Sequence, residues 1–133
     1  ILSIKLAHLE QWTEKRRARA RLYLKELKGT GDIQLPVIPE GTKHVFHVFV
    51  IQTSQREKLI EFLGSREIGT NIHYPVPIHI QPAFASLGYK KGDFPVAEQA
   101  AGRILSLPLC ADITEDEVHQ VCAAIKEYFS QQA

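Results

Sequence analysis

The 133-residue chain has no methionine and only two cysteines, Cys110 and Cys122. Their separation fits neither a CxxC pair nor a disulfide framework, so they read as reduced thiols of a cytosolic protein. No apolar run approaches the roughly 20 residues that span a bilayer, which excludes a membrane-spanning helix, and no signal peptide is visible. An excess of one charge is missing too. Sixteen Lys and Arg stand against fifteen Asp and Glu, a net +1, so nothing draws the whole chain toward nucleic acid or anionic lipid. Several motifs are also absent: HExxH, the GxSxG elbow, GxGxxG and GxxxxGKS/T. The chain therefore carries no self-contained phosphate or dinucleotide cradle.

What is present reads as one domain by length. At 44% hydrophobic residues, a chain of this size can bury about two-thirds of its unfolded surface. Residues 1–28 read as one long helix, with Leu2, Leu6, Leu9, Leu24 and Leu27 at helical spacing and Gly29 as its stop. Ile1 enters that helix without a preceding cap, so the polypeptide is expected to continue upstream. The basic run EKRRARAR within it scatters its charges around the axis at about 100° per residue. That geometry fits a solvated surface, with a phosphate-contacting patch as the other reading.

Downstream, IQLPVI is a short strand candidate. HVFHVFVIQ, residues 44–52, should be a strand covered on both faces. Ser54 and Glu57 have the spacing of a capping box before a helix ending near Gly64, and GTNIHY reads as another strand. QPAFASLG forms a short helix closed by Gly88, and FPVAEQAAGRIL a helix entered through Pro95. SLPL is extended. Thr114 and Glu117 form a second capping box, flanked by Ile113 and Val118, for a helix burying Val118, Val121, Cys122, Ile125 and Phe129. The element order predicts an α+β fold: a small, mostly antiparallel sheet with helices packed on one face.

Candidate chemistry concentrates in GTNIHYPVPIHIQPAF, residues 69–84, where Pro75, Pro77 and Pro82 alternate with His73, Tyr74, His79 and Gln81. Proline stiffens the chain. Polar side chains on such a braced loop lose little entropy on binding a ligand, although packing alone would also account for them. A metal site is not expected, because His44 and His47 have opposite parity on the predicted strand.

Three segments, REIGTNIHYPVPIHIQPAF, GDFPVAEQAAGRILSLPL and DITEDEVHQVCAAIKEYF, together resemble the C-terminal part of the DegT/DnrJ/StrS sugar aminotransferases. ILSIKLAHLEQWTEKRRARARLYLKEL resembles the segment before it, so the likeness covers almost the whole chain. The resemblance implies the small domain of the aspartate-aminotransferase type of fold, with residues 1–28 leading in from a large domain and 29–133 forming the C-terminal small domain. It implies a homodimer with active sites at the subunit interface. It also implies pyridoxal phosphate (PLP) as cofactor and transfer of an amino group, usually from glutamate, to a nucleotide-linked keto sugar.

In that family the Schiff-base lysine, the aspartate at the pyridine nitrogen and most phosphate contacts belong to the large domain. The lysines at 5, 15, 25, 28, 43, 58 and 90–91 lie in polar segments, unlike the desolvated or electropositive pocket an imine lysine needs. No catalytic or cofactor-binding residue is therefore expected here, and the chain alone is expected to be inactive. The resemblance carries substrate contacts onto His73, Tyr74, His79 and Gln81. A stand-alone nucleotide-sugar binding module is the alternative. A nucleic-acid binder working through EKRRARAR is disfavoured by the scattered charges.

Overall fold

A computed structural model describes residues 2–132. Seven regular elements follow in order: α1 (Leu2–Leu6), α2 (Leu9–Glu26), β1 (Phe49–Gln52), α3 (Arg56–Gly64), α4 (Pro95–Ala101), β2 (Ile104–Leu107) and α5 (Glu115–Ser130). Two 3-10 segments, Ile78–Ile80 and Pro82–Leu87, lie between α3 and α4. The fold is α+β, as expected.

The leading helix is broken at residues 7–8 rather than continuous. α1 buries none of its residues, whereas α2 buries Thr13, Ala20 and Tyr23. The expectation about Ile1 falls outside the described residues.

The sheet is small and antiparallel. β1 pairs with β2 in the register Phe49↔Leu107 to Gln52↔Ile104. Gln34 bridges to Gln52 on the outer side of β1, and Asn71 to Ser106 on the outer side of β2. The strands expected in IQLPVI and GTNIHY are thus reduced to single bridges. Proline follows each of them within a few residues and supplies no donor to prolong a ladder. The predicted strand 44–52 is halved for another reason. Phe46 turns into the left-handed region at φ 48, and its N–H donates to His44 Nδ1 at 2.9 Å. His44 and His47 therefore lie ahead of β1 rather than on a strand, and the parity argument lapses. Among the described residues no cluster of three or more His, Cys, Asp or Glu could hold a metal ion.

The core gathers α2, β1, β2, α3 and α5. Tyr23, Leu27, Phe49, Ile51, Leu59, Leu63, Leu105, Val118 and Ile125 are fully buried. Each contributes roughly 1.5–3 kcal/mol relative to exposure. Tyr23 stacks on Phe49 at 4.8 Å between ring centroids, and its hydroxyl donates to the Pro108 carbonyl at 2.9 Å. α5 buries every residue its periodicity marked, together with Ala124 and Tyr128. Its capping box is complete, with the Thr114 side chain accepting from the Glu117 amide and the Glu117 carboxylate accepting from the Thr114 amide.

α3 is capped differently from the expectation. Its N-cap residue is Gln55, which makes no side-chain cap. The Ser54 hydroxyl is instead drawn to Asp32, whose carboxylate accepts from Ser54 N (2.7 Å), Ser54 Oγ (2.5 Å) and Thr53 Oγ1 (2.5 Å). A residue 22 positions upstream thus does the work that Glu57 was expected to do.

Candidate functional site

The segment between α3 and α4 holds the predicted loop. Pro77 is extended (ψ 143) ahead of the 3-10 turn at Ile78–Ile80. Pro82 opens the second 3-10 turn, which Gly88 closes in the left-handed conformation at φ 77. The Gln81 amide straps the loop by donating to the Val76 carbonyl at 3.0 Å.

The loop and α4 enclose an apolar cleft of about 500 Å³. Tyr74, His79 and Gln81 line it together with Ile78, Leu87, Tyr89, Phe94, Ala97 and Ile104. Tyr74 is 72% exposed, and its hydroxyl has no hydrogen-bond partner among the described residues. His79 is pinned: its ring meets Phe94 at 4.8 Å, and Nε2 lies 2.9 Å from Glu98 Oε1. A carboxylate only accepts, so Nε2 carries the proton and Nδ1 is left as the acceptor. The side chains are only 9% (His79) and 15% (Glu98) exposed.

Glu98 also accepts from the Gly92 amide at 2.7 Å and the Phe94 amide at 3.4 Å. The Gly92 hydrogen bond, with further help from His79 and the Phe94 amide, holds the Glu98 carboxyl below its ordinary range against the opposing effect of burial.

His73 faces a separate, smaller cleft of about 260 Å³ with Asn71 and Ser106. Its Nδ1 is 2.9 Å from Ser106 Oγ and its Nε2 is 3.5 Å from Asn71 Nδ2. The Asn71 carbonyl oxygen accepts from the Ile72 amide, which leaves the amide NH2 turned toward the ring. The structure therefore gathers Tyr74, His79 and Gln81 on one cleft and ties His73 to the strand edge beside it.

Sequence reasoning missed Glu98, Tyr89 and Phe94. Only Glu98 had a local signal, an acid in the first turn of a proline-started helix. The two aromatics become neighbours of His79 only when the loop folds back on α4.

Known proteins resemble the chain along nearly its whole length. Residues 1–126 match the model of the DegT/DnrJ/EryC1/StrS aminotransferase family. The chain is 43% identical, over 97% of its length, to the "Pleiotropic regulatory protein" of Geobacillus stearothermophilus. It is 39% identical, over 96% of its length, to a dTDP-3-amino-3,4,6-trideoxy-alpha-D-glucose transaminase of Streptomyces venezuelae. It spans about a third of each of these relatives, 35% and 34% respectively. Among solved structures, S. venezuelae DesV in complex with a ketimine intermediate superposes with a TM-score of 0.91 at 39% identity, covering 96% of this chain and 34% of that one. An aminotransferase from Brucella abortus superposes with a TM-score of 0.87 at 30% identity, covering 97% and 34%. The chain belongs to the DegT/DnrJ/EryC1/StrS aminotransferase family.

Proposed function

We propose that this chain is the small-domain portion of a PLP-dependent aminotransferase that moves an amino group from glutamate to a keto sugar carried on a nucleotide. The enzyme works in the cytoplasm as a homodimer, with residues 29–133 as its small domain and 1–28 leading in from a large domain. The observation that carries this reading is the TM-score of 0.91 against a transaminase solved with a ketimine intermediate.

PLP chemistry requires a lysine imine and a carboxylate at the pyridine nitrogen, and supplies the electron sink for moving the amino group. The residues present do not fit that group by themselves. No lysine and no carboxylate line the apolar cleft, and Lys126 is held at the surface by Glu26 at 2.7 Å. In this reading those groups and most phosphate contacts reside in the large domain.

This chain supplies the substrate side through His73, Tyr74, His79 and Gln81. The Tyr74 hydroxyl, free of any partner among the described residues, donates to a sugar or phosphate oxygen. His79 offers Nδ1 while Glu98 fixes its ring. Gln81 and His73 keep the loop in register. The lining is largely apolar, so these few polar atoms set the orientation of a bound sugar.

The test uses the intact enzyme. Tyr74→Phe and His79→Ala raise KM for the nucleotide sugar while cofactor absorbance is kept. Loss of that absorbance would move these residues into cofactor binding. The 133-residue chain alone, mixed with an equimolar amount of PLP, gives no stoichiometric aldimine band.

A further inference from the structure

The basic run of α2 is not absorbed by the aminotransferase reading. Four of its cations are engaged. Arg16 donates to Thr13 Oγ1 at 3.4 Å. Lys15 pairs with Asp112 at 3.6 Å. Arg19 donates to the Ile113 carbonyl at 2.9 Å and to Glu115 at 2.6 Å. Arg17 pairs with Glu14 and donates from Nε to the His44 carbonyl at 2.9 Å. Arg21, one turn beyond Arg17 on the same face, makes no hydrogen bond or ion pair among the described residues, and neither does Lys43 in the facing loop. Arg17, Arg21, Lys43 and His44 border one cleft of about 320 Å³ between α2 and the segment 38–46.

The loop side of this cleft is fixed in place. The Arg17–His44 hydrogen bond clamps it to α2. The Thr42 hydroxyl closes a turn on the Pro39 carbonyl at 2.7 Å. Phe46 is buried at φ 48, and its ring packs 4.3 Å from His44. Because His44 Nδ1 accepts the Phe46 N–H, the neutral ring carries its proton on Nε2 and presents a donor. Glu14 is the one carboxylate on the cleft, and Arg17 already holds it. The open groups are therefore donors and cations, carried on a loop and a helix that are themselves held in place.

We infer that this cleft binds a phosphate group, with Arg21 and Lys43 as its principal ligands, Arg17 as a supporting charge and His44 Nε2 as a neutral donor. Unpaired guanidinium and ammonium donors match the several acceptor oxygens of a phosphate ester or diphosphate. The assignment stands apart from the aminotransferase reading, because it is read by binding to this chain without turnover.

The experiment is a 1H–15N NMR titration of the full 133-residue chain with inorganic pyrophosphate and, separately, with thymidine 5′-diphosphate, at about 50 mM salt to limit screening. Both ligands produce saturable shifts at the amides of residues 42–46 and at the Arg21 side chain. Arg21→Gln with Lys43→Gln weakens them about ten-fold or more, a loss of at least about 1.4 kcal/mol. Lys58→Gln, on another surface, leaves them unchanged, and the spectrum itself shows that each variant is folded. Equal affinity for the two ligands identifies free phosphate chemistry as the source, and tighter binding of the nucleotide identifies a nucleoside diphosphate. Either result supports the site. It is overturned if neither ligand saturates by about 10 mM, a contact of only a few kcal/mol, if the double variant binds as wild type, or if sodium glutamate competes equally.

Discussion

The imidazole of His79 and the carboxylate of Glu98, 2.9 Å apart, join the proline-rich loop to the first turn of α4. The same carboxylate oxygen receives the Gly92 amide, so one residue organises both walls of the apolar cleft. Its carboxyl is held below the ordinary range. A depressed folded-state pKa contributes stability that is complete above the unfolded value and is lost as pH falls through the folded one. Glu98→Gln is therefore less stable than wild type at pH 7. The gap in Tm closes as pH falls below about 4.5, the ordinary glutamate value. A gap unchanged down to pH 3 would remove the charge-based account.

Asp32 anchors the two residues that lead into the N-cap of α3. Burial opposes its ionisation, yet the hydrogen bonds from Ser54 and Thr53 outweigh it and hold the carboxyl low. Asp32→Ala removes the charged acceptor of three hydrogen bonds and should cost about 1.5–3 kcal/mol. Glu57→Ala, at the residue the sequence pattern favoured, should cost no more than a surface ion pair, under about 1 kcal/mol. Urea titration of the two variants separates them.

Gly31 sits at φ +51 and a Cβ there would come within 2.1 Å of Phe129 Cδ1. Gly29, at φ +75, has nothing within 4 Å of that position. Gly31→Ala combines left-handed strain with overpacking and should destabilise by about 2–4 kcal/mol. Gly29→Ala carries the strain alone, about 1–2 kcal/mol. Equal losses in thermal melts would contradict the contact with Phe129.

The two thiols differ sharply. Cys110 is exposed and Cys122 buried, and burial pushes the Cys122 thiol up to about 12. A disulfide reagent at pH 8 should label one thiol of the native chain quickly and the second only in denaturant. Rapid labelling of both would mean that α5 opens readily.

Much of the fold was legible because local rules and tertiary packing agree there. The α5 periodicity and its Thr114–Glu117 box, the Pro95 entry to α4 and the Gly88 closure are all local, and each appears in the structure. The loop at residues 69–84 was also visible, because three prolines in so short a span announce themselves. Its internal division was not. Tyr74 and His79 share a cleft while His73 is tied to Ser106, a partner 33 positions away.

By itself the sequence determined where most of the helices lie, where an α5 core face lies and which stretch carries a dense set of polar rings, since these follow from periods and caps within a few residues. Only the tertiary structure decided that Phe46 turns the chain before β1, that Asp32 displaces Glu57 at the start of α3, and that Glu98 orients His79. Each of these depends on a hydrogen bond or a packed ring brought together across the fold, and such pairings leave no trace in local spacing.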